Sequence, residues 1–225
     1  SGTRRISFHA EDEDRLQARK AMALSGRPET HPVWRDAACA RIAGERLMRL
    51  ARAAGRKVHV LHATTADEMP VYAAHRDIAT VEVTVNHLSM TAPDCYERIG
   101  NFAQMNPPIR EKAHQDALWA AVRSGLIDAI GSDHAPHLPA EKRGVYPQTP
   151  SGMPGVQTLV PMMLSHVAAG RLSLARFCDL TSAGPARIYG VAGKGRIAEG
   201  YDADFTIVDL KAKRTLRSED MASKC

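Results

Sequence analysis

Ile127-Asp128-Ala129-Ile130-Gly131-Ser132-Asp133-His134-Ala135-Pro136-His137 is a short apolar run that ends abruptly in an acid, two histidines and a proline. Gly125 closes a helical pattern just before it, so the run reads as a buried strand. Period-two alternation puts Ile127, Ala129, Gly131 and Asp133 on one face, which delivers the carboxylate inward at the strand's carboxyl end. Pro136 stops the strand, and His134 and His137 crowd the same rim. In a sheet of parallel strands that rim is where ligands bind. An isolated Asp after a strand more often caps the next turn. What argues otherwise here is that two other strands end in a histidine at the corresponding place.

Arg5 to His9 is a short strand pattern ending in His9-Ala10-Glu11. A helical pattern follows from Pro32 to Ala54, with Ala38, Ile42, Leu47, Leu50 and Ala54 available to one stripe and Gly55 as its stop. Lys57 to His62 is the second strand, in which Val58, Val60 and His62 share a face. Thr65-x-x-Glu68 is a capping box opening a helix through about Ala74. Ala79 to His87 is the third strand, and a helix after Asn106-Pro107-Pro108-Ile109-Arg110 reaches Ser124. Strand and helix alternating at these spacings is the signature of a parallel α/β sheet, open or closed into a barrel. No Gly-rich phosphate turn follows any strand, which argues against a nucleotide-binding sheet. The Pro- and Gly-rich loop through Thr149-Pro150-Ser151-Gly152-Met153-Pro154-Gly155 reads as a substrate lid, with helices over Val156–Ala169 and Ser173–Tyr189 beyond it. Gly195 to Asp209 alternates as β-hairpin material outside the α/β unit. The sequence opens almost inside a buried strand and stops abruptly at Cys225, so the expectation is a portion of a longer protein.

The 225 residues are 44% hydrophobic and 24% charged, ordinary for a soluble globular protein. The net charge of +5 comes from scattered bases, with no basic run interleaved with aromatics, so nucleic acid is not an expected partner. Cys39, Cys95, Cys178 and Cys225 are far apart, which suits a reducing, cytoplasmic location rather than a disulfide framework. No apolar run approaches membrane-spanning length and no signal peptide precedes the first strand, so no membrane is expected either.

Three strand ends thus deliver His9, His62 and Asp133. Neutral imidazoles and a carboxylate are ligands that a borderline divalent ion such as Zn²⁺ prefers. No His-Glu-x-x-His pattern is present, and each histidine taken alone is more readily a surface or core residue.

His9-Ala10-Glu11, Leu61-His62-Ala63-Thr64-Thr65, Asn106-Pro107-Pro108-Ile109-Arg110, Gly131-Ser132-Asp133-His134-Ala135-Pro136-His137 and Gly152-Met153-Pro154-Gly155 come in that order. Together they closely resemble the dihydroorotases of the cyclic amidohydrolase family, over nearly the whole chain. The resemblance implies a TIM-like (β/α)8 barrel with a binuclear metal centre. Residues 1–190 would be the carboxyl half of that barrel and residues 191–225 part of a small β-sandwich. By the same resemblance His9 and His62 are metal ligands on the fifth and sixth strands, and Asp133 is a ligand and the general acid/base on the eighth. Asn106, His137 and the backbone at Ser151 and Gly152 would hold the substrate. One or two Zn²⁺ ions would polarise the amide carbonyl and activate water.

Two departures from the pattern stand out. The family's first-strand His-x-His-x-Arg and its bridging Lys or Asp are absent from these residues, and Asn86 stands where a second His is common. On its own the chain is therefore expected to bind at most one metal weakly and to turn over little. The expected reaction is reversible interconversion of dihydroorotate and N-carbamoyl-L-aspartate in pyrimidine biosynthesis. Allantoinase and dihydropyrimidinase or hydantoinase are the catalytic alternatives. A non-catalytic subunit scaffolding aspartate transcarbamoylase is the alternative from another class. Implied partners are a small-molecule substrate and, for assembly, further copies of the chain or aspartate transcarbamoylase.

Overall fold

The structure is a computed structural model that describes residues 4–223. Four strands, β1 (Ile6–Phe8), β2 (Val58–Val60), β3 (Ala79–Thr84) and β4 (Ala129–Gly131), form one sheet in the order β1-β2-β3-β4. Every neighbouring pair is parallel, with Ile6 opposite Val58, Val58 opposite Ala79 and Glu82 opposite Ala129. Consecutive strands that are always spatial neighbours trace the arc of a barrel, because a doubly wound sheet reverses its strand order at a switch point.

Each crossover carries helices: α1 (Glu13–Ala18) and α2 (Ala37–Ala53), then α3 (Glu68–Ala73), then α4 (Lys112–Ser124). After β4 come α5 (Leu159–Ala168) and a run from Leu174 to Tyr189 that passes through a π-turn at Asp179–Ala183. Val58, Val60, Val81 and Val83 pack against Met48, Ala51, Leu118, Val122, Phe177 and Leu180 of these helices in one apolar core. The opposite face of the sheet is polar at its centre, where His59 Nδ1 lies 2.9 Å from Thr80 Oγ1. Glu82 there occupies the space that a side chain on Gly131 would need. Among the described residues no helix is long and apolar enough to cross a membrane.

Several sequence expectations shift. The helix expected from Pro32 begins at Ala37, where the Asp36 carboxylate accepts the Cys39 N–H as an N-cap. Its buried stripe is Cys39, Ala40, Gly44, Met48 and Ala51 rather than the expected Ala38, Ile42, Leu47, Leu50 and Ala54, and Leu50 is 56% exposed. Tyr72 of α3 decides this: its hydroxyl lies 2.8 Å from where a Cβ on Gly44 would sit, so only the small-residue face admits it. The third strand stops at Thr84, whose Oγ1 accepts the His87 N–H and turns Val85–Ser89 into helix. The segment read as β-hairpin material forms no strand ladder among the described residues, and is tied back by the Asp202 N–H to the Gly193 carbonyl at 2.9 Å and by Lys194 to Asp202 and Asp204. After a turn at 198–201, residues 202–209 carry no regular structure, with Ile207 97% exposed, because no strand edge among the described residues lies beside them to accept a ladder.

The register of the fourth strand is pinned by Asp128. Its Oδ2 accepts the Val81 N–H at 2.8 Å, and both its oxygens receive Arg76 at 2.6 and 2.7 Å. Asp128→Ala is expected to lower the unfolding free energy by roughly 2–3 kcal/mol, the scale of a lost charge-assisted hydrogen bond to a buried amide. Urea denaturation measures it, and a change below about 0.5 kcal/mol would mean that apolar packing alone sets the register.

Candidate active site

His9 lies one residue beyond β1 and His62 two residues beyond β2, and the two rings meet. His9 Nδ1 is 3.1 Å from His62 Nε2, with ring centroids 4.8 Å apart and the rings edge to face. Strand alternation alone would send His62 to the helix side with Val58 and Val60. It reaches the mouth because its backbone turns left-handed, at φ +35°. Asp133 lies two residues beyond β4 and turns the same way, at φ +44°. Such backbone costs a non-glycine residue on the order of 1–3 kcal/mol and is held by its surroundings. The Asp133 carboxylate makes no hydrogen bond among the described residues. Burial raises its pKa and the nearby His9 partly offsets that.

The donor chemistry fits a divalent ion in part. Two imidazole nitrogens 3.1 Å apart are spaced as neighbouring ligands of one ion with bonds of about 2.0–2.1 Å. The second nitrogen of His62, Nδ1, is buried without a partner. Yet no group of three or more His, Cys, Asp or Glu side chains among the described residues is gathered closely enough to hold a metal, so Asp133 stands beside the histidine pair without closing a ligand set.

Behind the pair lies a carboxylate that sequence reasoning did not assign. Glu11, its side chain 1% exposed, sits 3.0 Å from His9 Nε2 and accepts Arg35 through both oxygens. Burial would raise its pKa, but the hydrogen bonds from His9 and Arg35 prevail and hold it at about 2. An ionised Glu11 makes His9 Nε2 the protonated nitrogen and leaves the Nδ1 lone pair facing His62. A carboxylate behind an imidazole is the arrangement that orients histidine ligands generally. The available signal was its place two residues after a strand-end histidine.

The remaining expected residues gather around the 149–155 loop. His137 Nε2 lies 3.2 Å from the Ser151 carbonyl, and the Gly152 N–H donates to the Gln104 carbonyl at 2.9 Å. Gly152, at φ +150°, brings its Cα so near the Ala135 carbonyl that a Cβ would come within 2.5 Å of the oxygen. Asn106 lies two residues along from Gln104, with its Oδ1 3.0 Å from His31 Nε2. The Gly152 amide is thus spent within the protein, as are His137 Nε2 and Asn106 Oδ1, which leaves the other ring nitrogen of His137 and the amide nitrogen of Asn106 for a ligand at this rim. Asn86 is buried, with its Nδ2 unpaired.

The loop is no free flap. The Ala135 N–H donates to the Met153 carbonyl at 3.1 Å, and the Gly155 N–H to His134 Nδ1 at 3.1 Å. Lys142, only 4% exposed, donates to the carbonyls of Gln104, Pro150 and Gly152 at 3.0, 2.9 and 3.0 Å.

Residues 36–223 match the model of the amidohydrolase family. This chain belongs to that family.

Among curated amidohydrolase relatives, the dihydroorotase of Halobacterium salinarum is 36% identical over 220 residues, 98% of this chain and 51% of that protein. The allantoinase of Solibacter usitatus is 34% identical over 232 residues, 97% and 50% of the two. Of solved structures, the L-hydantoinase (dihydropyrimidinase) of Arthrobacter aurescens superposes with a TM-score of 0.89 at 30% identity, covering 96% of this chain and 50% of that one. The chain spans about half the length of the curated relatives it matches, and its four-stranded arc is a partial barrel of the amidohydrolase fold.

Two predictions follow from these buried groups. Replacing Lys142 by Met removes two hydrogen bonds to the loop and a third to the Gln104 carbonyl beside it, so hydrogen exchange at Gly152 should quicken by about tenfold or more. Unchanged protection would mean that the 134–137 contacts alone hold the loop. The second concerns His31, fully buried, where burial first and the Arg35 charge second depress the pKa to about 4. The unfolded chain takes up that proton near pH 6.5 and the folded one does not, so stability present above that pH is lost as pH falls toward 4. The loss is roughly 3 kcal/mol at most. Urea midpoints at pH 7 and 4.5 should converge in His31→Gln relative to the parent, and an identical pH slope would contradict the assignment.

Proposed function

We propose that the protein is a dihydroorotase. It would hydrolyse the cyclic amide of dihydroorotate to N-carbamoyl-L-aspartate, close it in reverse, and act in cytoplasmic pyrimidine biosynthesis. The observation that carries the reading is the contact of His9 Nδ1 and His62 Nε2 at the carboxyl mouth of parallel strands, with an unpaired Asp133 carboxylate beside it. The similarity to dihydroorotases over 97–98% of the chain supports the choice of substrate.

His9 through Nδ1 and His62 through Nε2 are the groups that would hold a divalent ion, with Zn²⁺ suited to such donors. A bound ion supplies Lewis-acid polarisation of the scissile carbonyl. Asp133 carries the proton, taking it from the attacking water and delivering it to the departing ring nitrogen. Burial prepares it for that exchange by raising its pKa toward the working range. Asn106 and His137 hold the substrate's polar edge, and the loop at Ser151 and Gly152 shapes the wall behind it.

The likeness to L-hydantoinase favours a second reading, in which the cyclic amide is a neutral hydantoin or dihydropyrimidine. His137 speaks for the anionic substrate, because an imidazole at that rim suits a carboxylate. Purified full-length protein assayed on dihydroorotate, allantoin and dihydrouracil decides between them, and hydrolysis of only the latter two overturns the proposal. Asp133→Asn should lower kcat by roughly 10²–10⁴-fold, the range for a general acid/base.

A further inference from the structure

His31 opens the helical turn His31–Trp34 between α1 and α2, and its side chain is wholly buried, packed edge-on against Trp34 and Tyr146. Its Nε2 lies 3.1 Å from the Met105 carbonyl oxygen and 3.0 Å from Asn106 Oδ1, while its Nδ1 lies 3.2 Å from the Tyr146 hydroxyl.

These three contacts leave one consistent arrangement of protons. A backbone carbonyl only accepts, so Nε2 must be the protonated nitrogen. An N–H aimed at Asn106 then requires the amide oxygen on that side, since the amide NH₂ would set donor against donor. Nδ1 is left as an acceptor, and the Tyr146 hydroxyl donates to it. With its oxygen turned inward, Asn106 presents Nδ2 on the other side. That nitrogen has no hydrogen-bond partner among the described residues and is not fully buried, which leaves its donors free for a ligand.

We propose that His31 is a positioning residue for Asn106, locking its amide oxygen inward so that the NH₂ meets an acceptor oxygen of the substrate, a carboxylate or ring carbonyl. The inference rests on the reading of Asn106 as a substrate-facing residue. It adds a specificity rule, because a fixed donor at this point accepts an oxygen and rejects a ring N–H. Burial keeps the imidazole neutral at working pH, so Nδ1 does not take a second proton that would expel the Tyr146 hydroxyl.

Nitrogen-15 NMR of the histidine-labelled protein tests the lock directly. The expected spectrum shows His31 as the neutral Nε2–H tautomer from pH 5.5 to 8, and an Nδ1–H tautomer overturns the proposal. Kinetics supply the second readout. His31→Leu frees the amide to turn, and should raise KM for dihydroorotate by roughly tenfold, the worth of one hydrogen bond to a charged group, with kcat within about threefold. His31→Gln, whose amide nitrogen can reach the same oxygen, should restore most of that loss. An unchanged KM in His31→Leu, or a fall in kcat alone, overturns the positioning role. Should the protein hydrolyse no cyclic amide, the functional reading fails while the tautomer still upholds or refutes the lock.

Discussion

Arg110 is the constraint on which the mouth of the sheet depends. Its guanidinium is buried, with no carboxylate within ion-pair distance among the described residues. Nε donates to Thr64 Oγ1 at 3.0 Å and Nη1 to the Arg35 carbonyl at 2.8 Å. Glu68 is the compensating charge close by. Its Oε2 accepts the amides of Thr64 and Thr65 at 3.0 and 2.8 Å, and its Oε1 accepts the Tyr72 hydroxyl at 3.0 Å. Burial pushes the pKa of Arg110 down and that of Glu68 up, each against its charged form, and each charge opposes that push on the other. Polar groups so deeply placed are tolerable only when their hydrogen bonds are made. Making them fixes the turn that follows His62 and the carbonyl of Arg35, whose side chain in turn holds Glu11 against His9. Both imidazoles are therefore braced from behind by one polar network.

That bracing explains how two non-glycine residues persist in left-handed backbone. His62 and Asp133 are the two such residues among those described, and both are at strand ends. The turn at His62 redirects its side chain away from the side that strand alternation would assign. His62 is held by the Thr64–Glu68–Arg110 contacts just beyond it. Asp133 is followed at once by the His134 and Ala135 contacts to Gly155 and Met153, which anchor the chain on its far side.

The sequence made the sheet legible because the strands are short runs of apolar or alternating residues, two of them entered from a helix stop at Gly55 or Gly125, and those runs became β1 to β4 nearly where expected. It made the histidine and acid positions legible because they follow those runs directly. The route by which His62 and Asp133 arrive was hidden, since period-two counting assumes a strand that continues, and β2 and β4 end before either residue. Glu11, His31, Gln104 and Lys142 were hidden for another reason. Their partners are backbone carbonyls, the Arg35 guanidinium and an amide distant in sequence, with only the His9 imidazole near Glu11, and such partners leave no periodicity. The tail fails differently: its alternation is genuine, but a strand is defined by a neighbour strand, and residues 197–210 have none among the described residues.

The histidine pair itself carries an electrostatic demand that the rest of the site serves. Glu11, held at about 2, keeps the proton on His9 Nε2, so His9 offers only a lone pair to His62. The 3.1 Å contact then requires the His62 proton on Nε2, which leaves its buried Nδ1 an acceptor without a donor. Moving that proton to Nδ1 would set two lone pairs against each other. Adding a second proton is opposed by burial first and by His9 next, which together depress the His62 pKa to about 4. A cation between the rings is the arrangement that satisfies both lone pairs at once and frees the His62 proton for Nδ1. The pair is thus poorly satisfied as a hydrogen bond, and on the proposed reading the same two nitrogens would serve as ligands, with the carboxylate behind His9 adding negative charge beside them.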